Sequence, residues 1–183
     1  MPTEDKYKQR IASFDWEQLN GLWQNIGERE TPDWGSGKAF EYLILRSFEL
    51  SGSEVVYPFE VSLFNETVEQ IDGVVYFNHQ AFIVECKDYN EERRVNFEPI
   101  AKLRNQLFRR PYSTIGCIFS NSGFTEPAII LANAISPQNI ILWEREEIEE
   151  CLTNKNMSAG LVKKFKKLIE LGIADYNITS EGL

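Results

Sequence analysis

Histidine is almost missing from this chain: its 183 residues contain one, His79. A Ser-His-Asp relay and a histidine-rich metal cluster are therefore unsupported. Cysteine is scarce as well. Cys86, Cys117 and Cys151 are odd in number and widely spaced, which excludes a zinc-type spacing and a disulfide framework. They read as reduced packing residues of a cytoplasmic protein. No apolar run is long enough to span a bilayer. The opening Met1-Pro2-Thr3-Glu4-Asp5-Lys6 lacks the character of a secretory signal. There are no internal repeats, no low-complexity segments and no glycine-rich phosphate loop, so a nucleotide triphosphatase is unsupported. Positive charge is also in deficit: 19 Lys and Arg face 28 Asp and Glu, a net charge of −9. That balance argues against a free-standing general DNA binder, which usually carries a positive field.

What is present is a chain that is 43% hydrophobic and long enough for one domain with a core. Its most informative stretch is 71–87. Val74-Val75-Tyr76-Phe77 and Phe82-Ile83-Val84 are β-branched or aromatic runs separated by Asn78-His79. Asn tolerates the positive φ of a two-residue hairpin turn, and His79 reads as its partner in that turn. A turn there pairs Phe77 with Gln80 and brings Asp72 opposite Glu85. Residues opposite on antiparallel strands share a face, with Cβ atoms about 5 Å apart. Alternation then puts Lys87 on the side of Glu85 and turns Cys86 away. Two facing carboxylates repel unless a cation or proton lies between them. Together with an ammonium group they suit metal-assisted cleavage of a phosphodiester; an ordinary ion pair at a wet hairpin end fits the same pattern. A turn one residue longer leaves Asp72 a diagonal neighbour of Glu85.

Charge is uneven along the chain. Residues 1–72 carry 6 Lys and Arg against 14 Asp and Glu, whereas residues 87–110 carry 7 against 4. The basic excess directly follows the acid-acid-base set. Arg93, Arg94, Lys102, Arg104, Arg109 and Arg110 are candidates for phosphate contacts in a nucleic acid. They are charges without an evident groove-entering element, so sequence recognition is assigned to dimer geometry or to a partner protein.

The remaining elements are read from periodicity. Residues 1–13 read as a loose leader. Asp15 and Gln18 form a capping box for a helix with Trp16, Leu19, Trp23 and Ile26 on one stripe. A second helix over 38–50 stops at Gly52. A strand over 54–63 is interrupted by Pro58 and so belongs at an edge. After the hairpin, a helix over 96–110 has Asn96 as N-cap, Pro99 in its first turn, and Ile100, Leu103 and Leu107 inward, with Gln106 beside Leu103 on the wheel. Residues 114–120 and 140–143 are apolar throughout, as in buried strands. Thr125 caps the helix between them, which Ser136-Pro137 ends. Helices over 144–152 and 158–171 follow, and 173–183 reads as a mobile tail. The 163–167 lysine cluster reads as a solvated helix face, with a further phosphate contact as the alternative. Strands alternating with helices after an antiparallel start predict an α/β fold: a mixed central sheet flanked by helices. The organisation is a helical extension over 1–36, a core over 37–153, and a helix and tail over 154–183.

The helix-strand-strand-strand-helix-strand order, Asp72 with Glu85-x-Lys87, and the preceding Gly37-Lys38-Ala39-Phe40-Glu41 resemble the PD-(D/E)xK nuclease superfamily. Ile118-Phe119-Ser120-Asn121-Ser122-Gly123-Phe124-Thr125, then a helix and Ile140-Ile141-Leu142-Trp143, resemble its Mrr-type restriction endonucleases. The resemblance implies that Asp72 and Glu85 bind the metal, joined by the backbone carbonyl of Cys86 and by Glu41 of the first helix. It implies that Lys87 positions or activates the attacking water and that Gln106 supports the site. The expected cofactor is Mg²⁺, with Mn²⁺ as a substitute, because hard oxygen ligands suit both. The expected activity is a phosphodiester hydrolase, an endonuclease acting on DNA, with a homodimer favoured for double-strand cutting. Two competing readings stand beside it. One is a catalytically silent nuclease-fold module in a defence or mobile-element complex. The other is an interaction protein docking through Trp16, Trp23 and Trp34.

Overall fold

The computed structural model describes residues 4–90, 92–135 and 137–182. The first three residues of the expected leader, Ser136 of the expected helix stop, and Leu183 of the expected tail lie outside them. Among the described residues, seven α-helices and seven strands run in the order α1 (Glu4–Ala12), α2 (Trp16–Glu28), α3 (Lys38–Leu50), β1 (Glu54–Val56), β2 (Phe59–Leu63), β3 (Glu66–Ile71), β4 (Gly73–Phe77), β5 (Gln80–Lys87), α4 (Glu98–Leu107), β6 (Ile115–Ser120), α5 (Glu126–Ala134), β7 (Ile140–Trp143), α6 (Arg145–Thr153) and α7 (Met157–Leu171). A short 3₁₀ turn, Ile178–Glu181, follows.

Five strands form the central sheet in the order β1-β4-β5-β6-β7. Its first three strands are antiparallel, and β6 and β7 add in parallel by helical crossovers. The mixed α/β sheet read from the sequence is the one observed. The turn is also as expected: Asn78 and His79 both take positive φ, and Phe77 pairs with Gln80. Alternation on β5 sorts its side chains between two cores. Phe82 and Val84 join the core under α2, α3, α6 and α7. Ile83 joins the core under α4 and α5. No helix of the described residues is long and apolar enough to cross a membrane.

Several readings are corrected. The expected leader is a helix whose Tyr7 and Ile11 are buried against the core. Of the tryptophans expected to dock a partner, Trp23 is buried, while Trp16 and Trp34 pack against the same core. The expected strand over 54–63 is two. Pro58 has no amide to donate, so the ladder to β4 ends at Val56. The chain then leaves the sheet and β2 pairs with β3, a strand the reading lacked because Glu66, Thr67, Glu69 and Gln70 are polar. Phe64 and Asn65, both at positive φ, turn that hairpin. The helix expected over 96–110 is shorter, from Glu98 to Leu107; the Asn96 side chain accepts from the Glu98 amide at 3.1 Å. The expected tail is pinned, since Ala174 and Ile178 are buried and the Leu142 amide donates to the Ala174 carbonyl at 2.9 Å. Lys164, within the expected solvated cluster, is buried.

Candidate active site

The site forms where the β4–β5 ladder ends. Its last rung pairs Gly73 with Val84, and Asp72 and Glu85 are the next residues on each side. Asp72 lies on a bend between β3 and β4, half-buried. Past the ladder's end the Cys86 amide donates to Asp72 Oδ2 at 2.6 Å, which orients the carboxylate and satisfies a backbone donor. Gly73 allows α3 to approach. A Cβ there would stand 2.5 Å from Leu45 Cδ2 and 3.3 Å from Tyr57 Cβ. Glu41 lies one helical turn before Leu45 on the same side of α3 and so comes towards Asp72.

Three lysines meet these acids. Glu85 is 1% exposed. Lys87 Nζ lies 2.5 Å from Glu85 Oε1, and Lys102 Nζ, from α4, lies 3.0 and 3.1 Å from Oε1 and Oε2. Glu41, buried, accepts from Lys38 Nζ at 3.1 Å on Oε1 and 2.8 Å on Oε2. Lys38 also reaches Glu4 at 2.9 Å. Burial, followed by the charge of Glu85, pushes the Asp72 carboxyl up to about 6, against the Cys86 amide bond. Burial and then the Asp72 charge push Glu41 up to about 8, against the pull of Lys38. Burial acts to lower the Lys87 ammonium, but the charge and hydrogen bond of Glu85 outweigh it and the pKa is raised. Burial is the larger cause of both acid shifts, and repulsion between neighbouring acids at the sheet end, Asp72 on Glu41 and Glu85 on Asp72, adds to it, a condition a divalent cation relieves.

Among the described residues, no three His, Cys, Asp or Glu side chains converge into a ready-made metal cage. Two carboxylates suffice for Mg²⁺, which commonly takes one or two and keeps its waters. The donor set therefore fits: Asp72 and Glu85 would offer hard carboxylate oxygens next to one ladder end, with the Cys86 backbone adjoining both.

Behind the site a polar network holds the end of β5. The Asn121 amide donates to the Lys87 carbonyl at 3.1 Å, and its Nδ2 donates to Asp88 Oδ1 at 2.9 Å. Arg29 reaches the same Asp88 oxygen at 2.6 Å, and Arg145 donates to Asn121. The Ser120-to-Thr125 segment is thus a brace. Gly123 takes φ +77°, its carbonyl accepts from Ser120 Oγ, and Phe124 fills the core under α4 and α5.

A restriction endonuclease family model, Mrr_cat, matches residues 33–152. The chain belongs to that family. As an Mrr_cat member it is a nuclease-type domain, in agreement with the resemblance read from the motifs. Two solved structures are similar in part. One, titled "Crystal Structure of Protein of Unknown Function AF1548", is 17% identical with a TM-score of 0.47, over 73% of this chain and 88% of that one. The other, the DNA modification-dependent restriction endonuclease AspBHI, is 11% identical with a TM-score of 0.44, over 93% of this chain and 43% of that one. No curated protein matches the chain.

The other candidates are placed as follows. Gln106 is buried on the inner side of α4, its Oε1 has no hydrogen-bond partner, and it bonds to neither acid. Arg109 and Arg110 both converge on Glu69 of β3, Arg110 at 2.5 Å. Arg93 lies over the Tyr89 ring at 4.2 Å and Arg104 over Phe108 at 5.3 Å. Arg94 lines a depression with Asn121, Ser122 and Glu144. Lys102, read as a phosphate contact, lies on Glu85. Sequence reasoning missed Lys38, although its i,i+3 spacing from Glu41 on a helix was the available signal.

Proposed function

We propose that this Mrr_cat domain hydrolyses phosphodiester bonds in DNA, with Asp72 and Glu85 holding Mg²⁺ or Mn²⁺ at the end of the β4–β5 ladder. The single observation that supports this reading is the gathering of Asp72, held by the Cys86 amide at 2.6 Å, and of Glu85, 2.5 Å from Lys87, just past the last rung of that ladder. The Asp72 oxygen turned away from the Cys86 amide, the Glu85 oxygens and the Cys86 carbonyl form the donor set. Glu41, from α3, would accept a hydrogen bond from a water on that metal. A metal held there supplies a Lewis acid for a phosphoryl oxygen and lowers the pKa of a bound water. The chain's own contribution is placement. The Cys86 amide keeps Asp72 from rotating. Burial of Glu85 strengthens each interaction it makes. Lys87, charged and fixed by its own strand beside Glu85, would stabilise the negative charge that develops on the phosphate and orient the nucleophile. The aspect of the sheet beyond β5, where Arg93 and Arg94 are exposed, receives the DNA backbone.

The test is calorimetric titration of Mg²⁺ and Mn²⁺ into the native chain, Asp72→Ala and Glu85→Ala, followed by cleavage of plasmid, linear duplex, single-stranded DNA and RNA. The expected result is metal binding that both substitutions abolish and cleavage of DNA. Lys87→Ala is expected to keep the metal and lose about 10²–10³-fold in turnover; full turnover would remove Lys87 from the chemistry. Metal binding with no cleavage of any substrate would mark a silent binding module instead.

A further inference from the structure

Glu85 holds more positive charge than one carboxylate needs. Lys87 and Lys102 both donate to it, and Lys102 spans both of its oxygens. The two lysines differ in freedom. Lys87 is on β5 two residues from Glu85, and its side chain is 21% exposed. Lys102 reaches across from α4, and its side chain is 51% exposed. A half-exposed ammonium on a flexible four-carbon stem can leave at little cost, because water takes over its donors. The surrounding charges make that departure conditional. Glu85 already carries two ammonium groups, Lys87 and Lys102, while Lys38 is shared between Glu41 and Glu4. A divalent ion on Glu85 needs the oxygens Lys102 uses, and its charge repels the ammonium it replaces.

We propose that Lys102 and a divalent cation compete for the same Glu85 oxygens, and that the displaced Lys102 becomes a contact for the phosphates of the DNA. Lys102 is then an exchangeable counter-ion that stabilises the buried carboxylate before the metal arrives and adds a positive charge at the mouth of the site afterwards. This rests on the assignment of Asp72 and Glu85 as metal ligands.

The experiment is calorimetric titration of Mn²⁺ into the native chain, Glu85→Gln, Lys102→Gln and Lys102→Arg, with thermal unfolding to check that each is folded. Removing the competing charge is expected to tighten Mn²⁺ binding by Lys102→Gln about fivefold, the equivalent of one exposed ion pair. Lys102→Arg, which keeps the charge, is expected to bind as the native chain does. In Ca²⁺, Lys102→Gln is expected to bind a duplex oligonucleotide about threefold more weakly, with a salt dependence smaller by about one phosphate contact. If the native chain binds Mn²⁺, Glu85→Gln abolishes it, and Lys102→Gln binds no more tightly, the exchange is overturned while the metal assignment stands. Equal tightening by Lys102→Arg, or unchanged duplex affinity, also overturns it. Binding by neither the native chain nor Lys102→Gln overturns both the exchange and the metal assignment.

Discussion

Glu85 and Glu147 are both glutamates buried to 1% exposure and held by lysine, yet the two regions are built differently. Glu147 Oε1 accepts from Lys164 and from the Ile178 amide at 3.1 Å, and its Oε2 accepts from the Glu144 amide at 2.9 Å. Lys164, itself buried, also donates to the Tyr176 carbonyl at 2.8 Å and lies over the Trp143 ring. Each partner is backbone or a fixed side chain, and together they tie α6, α7 and the C-terminal segment into one unit. Glu85 has mainly ammonium partners, one of them half in water, and an acid neighbour whose charge it opposes. A buried charge met by immobile donors serves architecture. A buried charge met by partly exposed ammonium groups beside a like charge is the arrangement expected of a site that changes ligands, as proposed for Glu85.

The largest expected effect breaks the architectural side. Glu147→Ala leaves Lys164 buried and unpaired, and denaturant unfolding should show a loss of about 3–5 kcal/mol. At the candidate site the sign reverses. The Asp72 carboxyl at about 6 lies above its ordinary 3.8, so the folded state holds the extra proton. Its contribution to stability is fully present below about pH 4 and is lost as pH rises through about 6. Without metal, Asp72→Asn should therefore be more stable than the native chain at pH 8, by about 1–3 kcal/mol, and unfolding midpoints from pH 4 to 8 should fall less steeply. A stability curve with no such difference would remove the repulsion from the account.

Glu69 lies between the two cases. Its carboxylate is buried, but its partner Arg109 is more than half exposed. Burial acts to raise its pKa, but Arg110 and Arg109 outweigh this and hold it below the ordinary 4.5. That stabilisation is present above pH 4.5 and lost as pH falls below it, the opposite window from Asp72. Glu69→Gln should cost about 1 kcal/mol at pH 7, and the cost should vanish in acid. The smallest effect belongs to Lys166 and Glu170, an exposed i,i+4 pair 3.6 Å apart. Lys166→Ala should change stability by less than about 0.5 kcal/mol.

The residues that were legible beforehand are those whose geometry is local. Asn78-His79 specifies its own turn, and from that turn register alone carries Phe77 to Gln80 and onward to the Asp72 and Glu85 positions. Asp15 and Gln18 announce a capping box that forms as read. β3 was illegible because its polar residues are strand-like only once β2 has left the central sheet at Pro58. Lys164 looked solvated because its neighbours in sequence are lysines; its partners, Glu147 and Tyr176, come from elsewhere in the chain.

By itself the sequence determined which acid, acid and base stand together at a strand end, because hairpin pairing and side-chain alternation depend only on neighbouring residues. Tertiary structure alone decided which charges surround them. Lys38 with Glu41, and Lys102 seventeen residues beyond Glu85, arrive on helices packed against opposite faces of one sheet, and the strength of a charge depends on burial and distance that only packing creates.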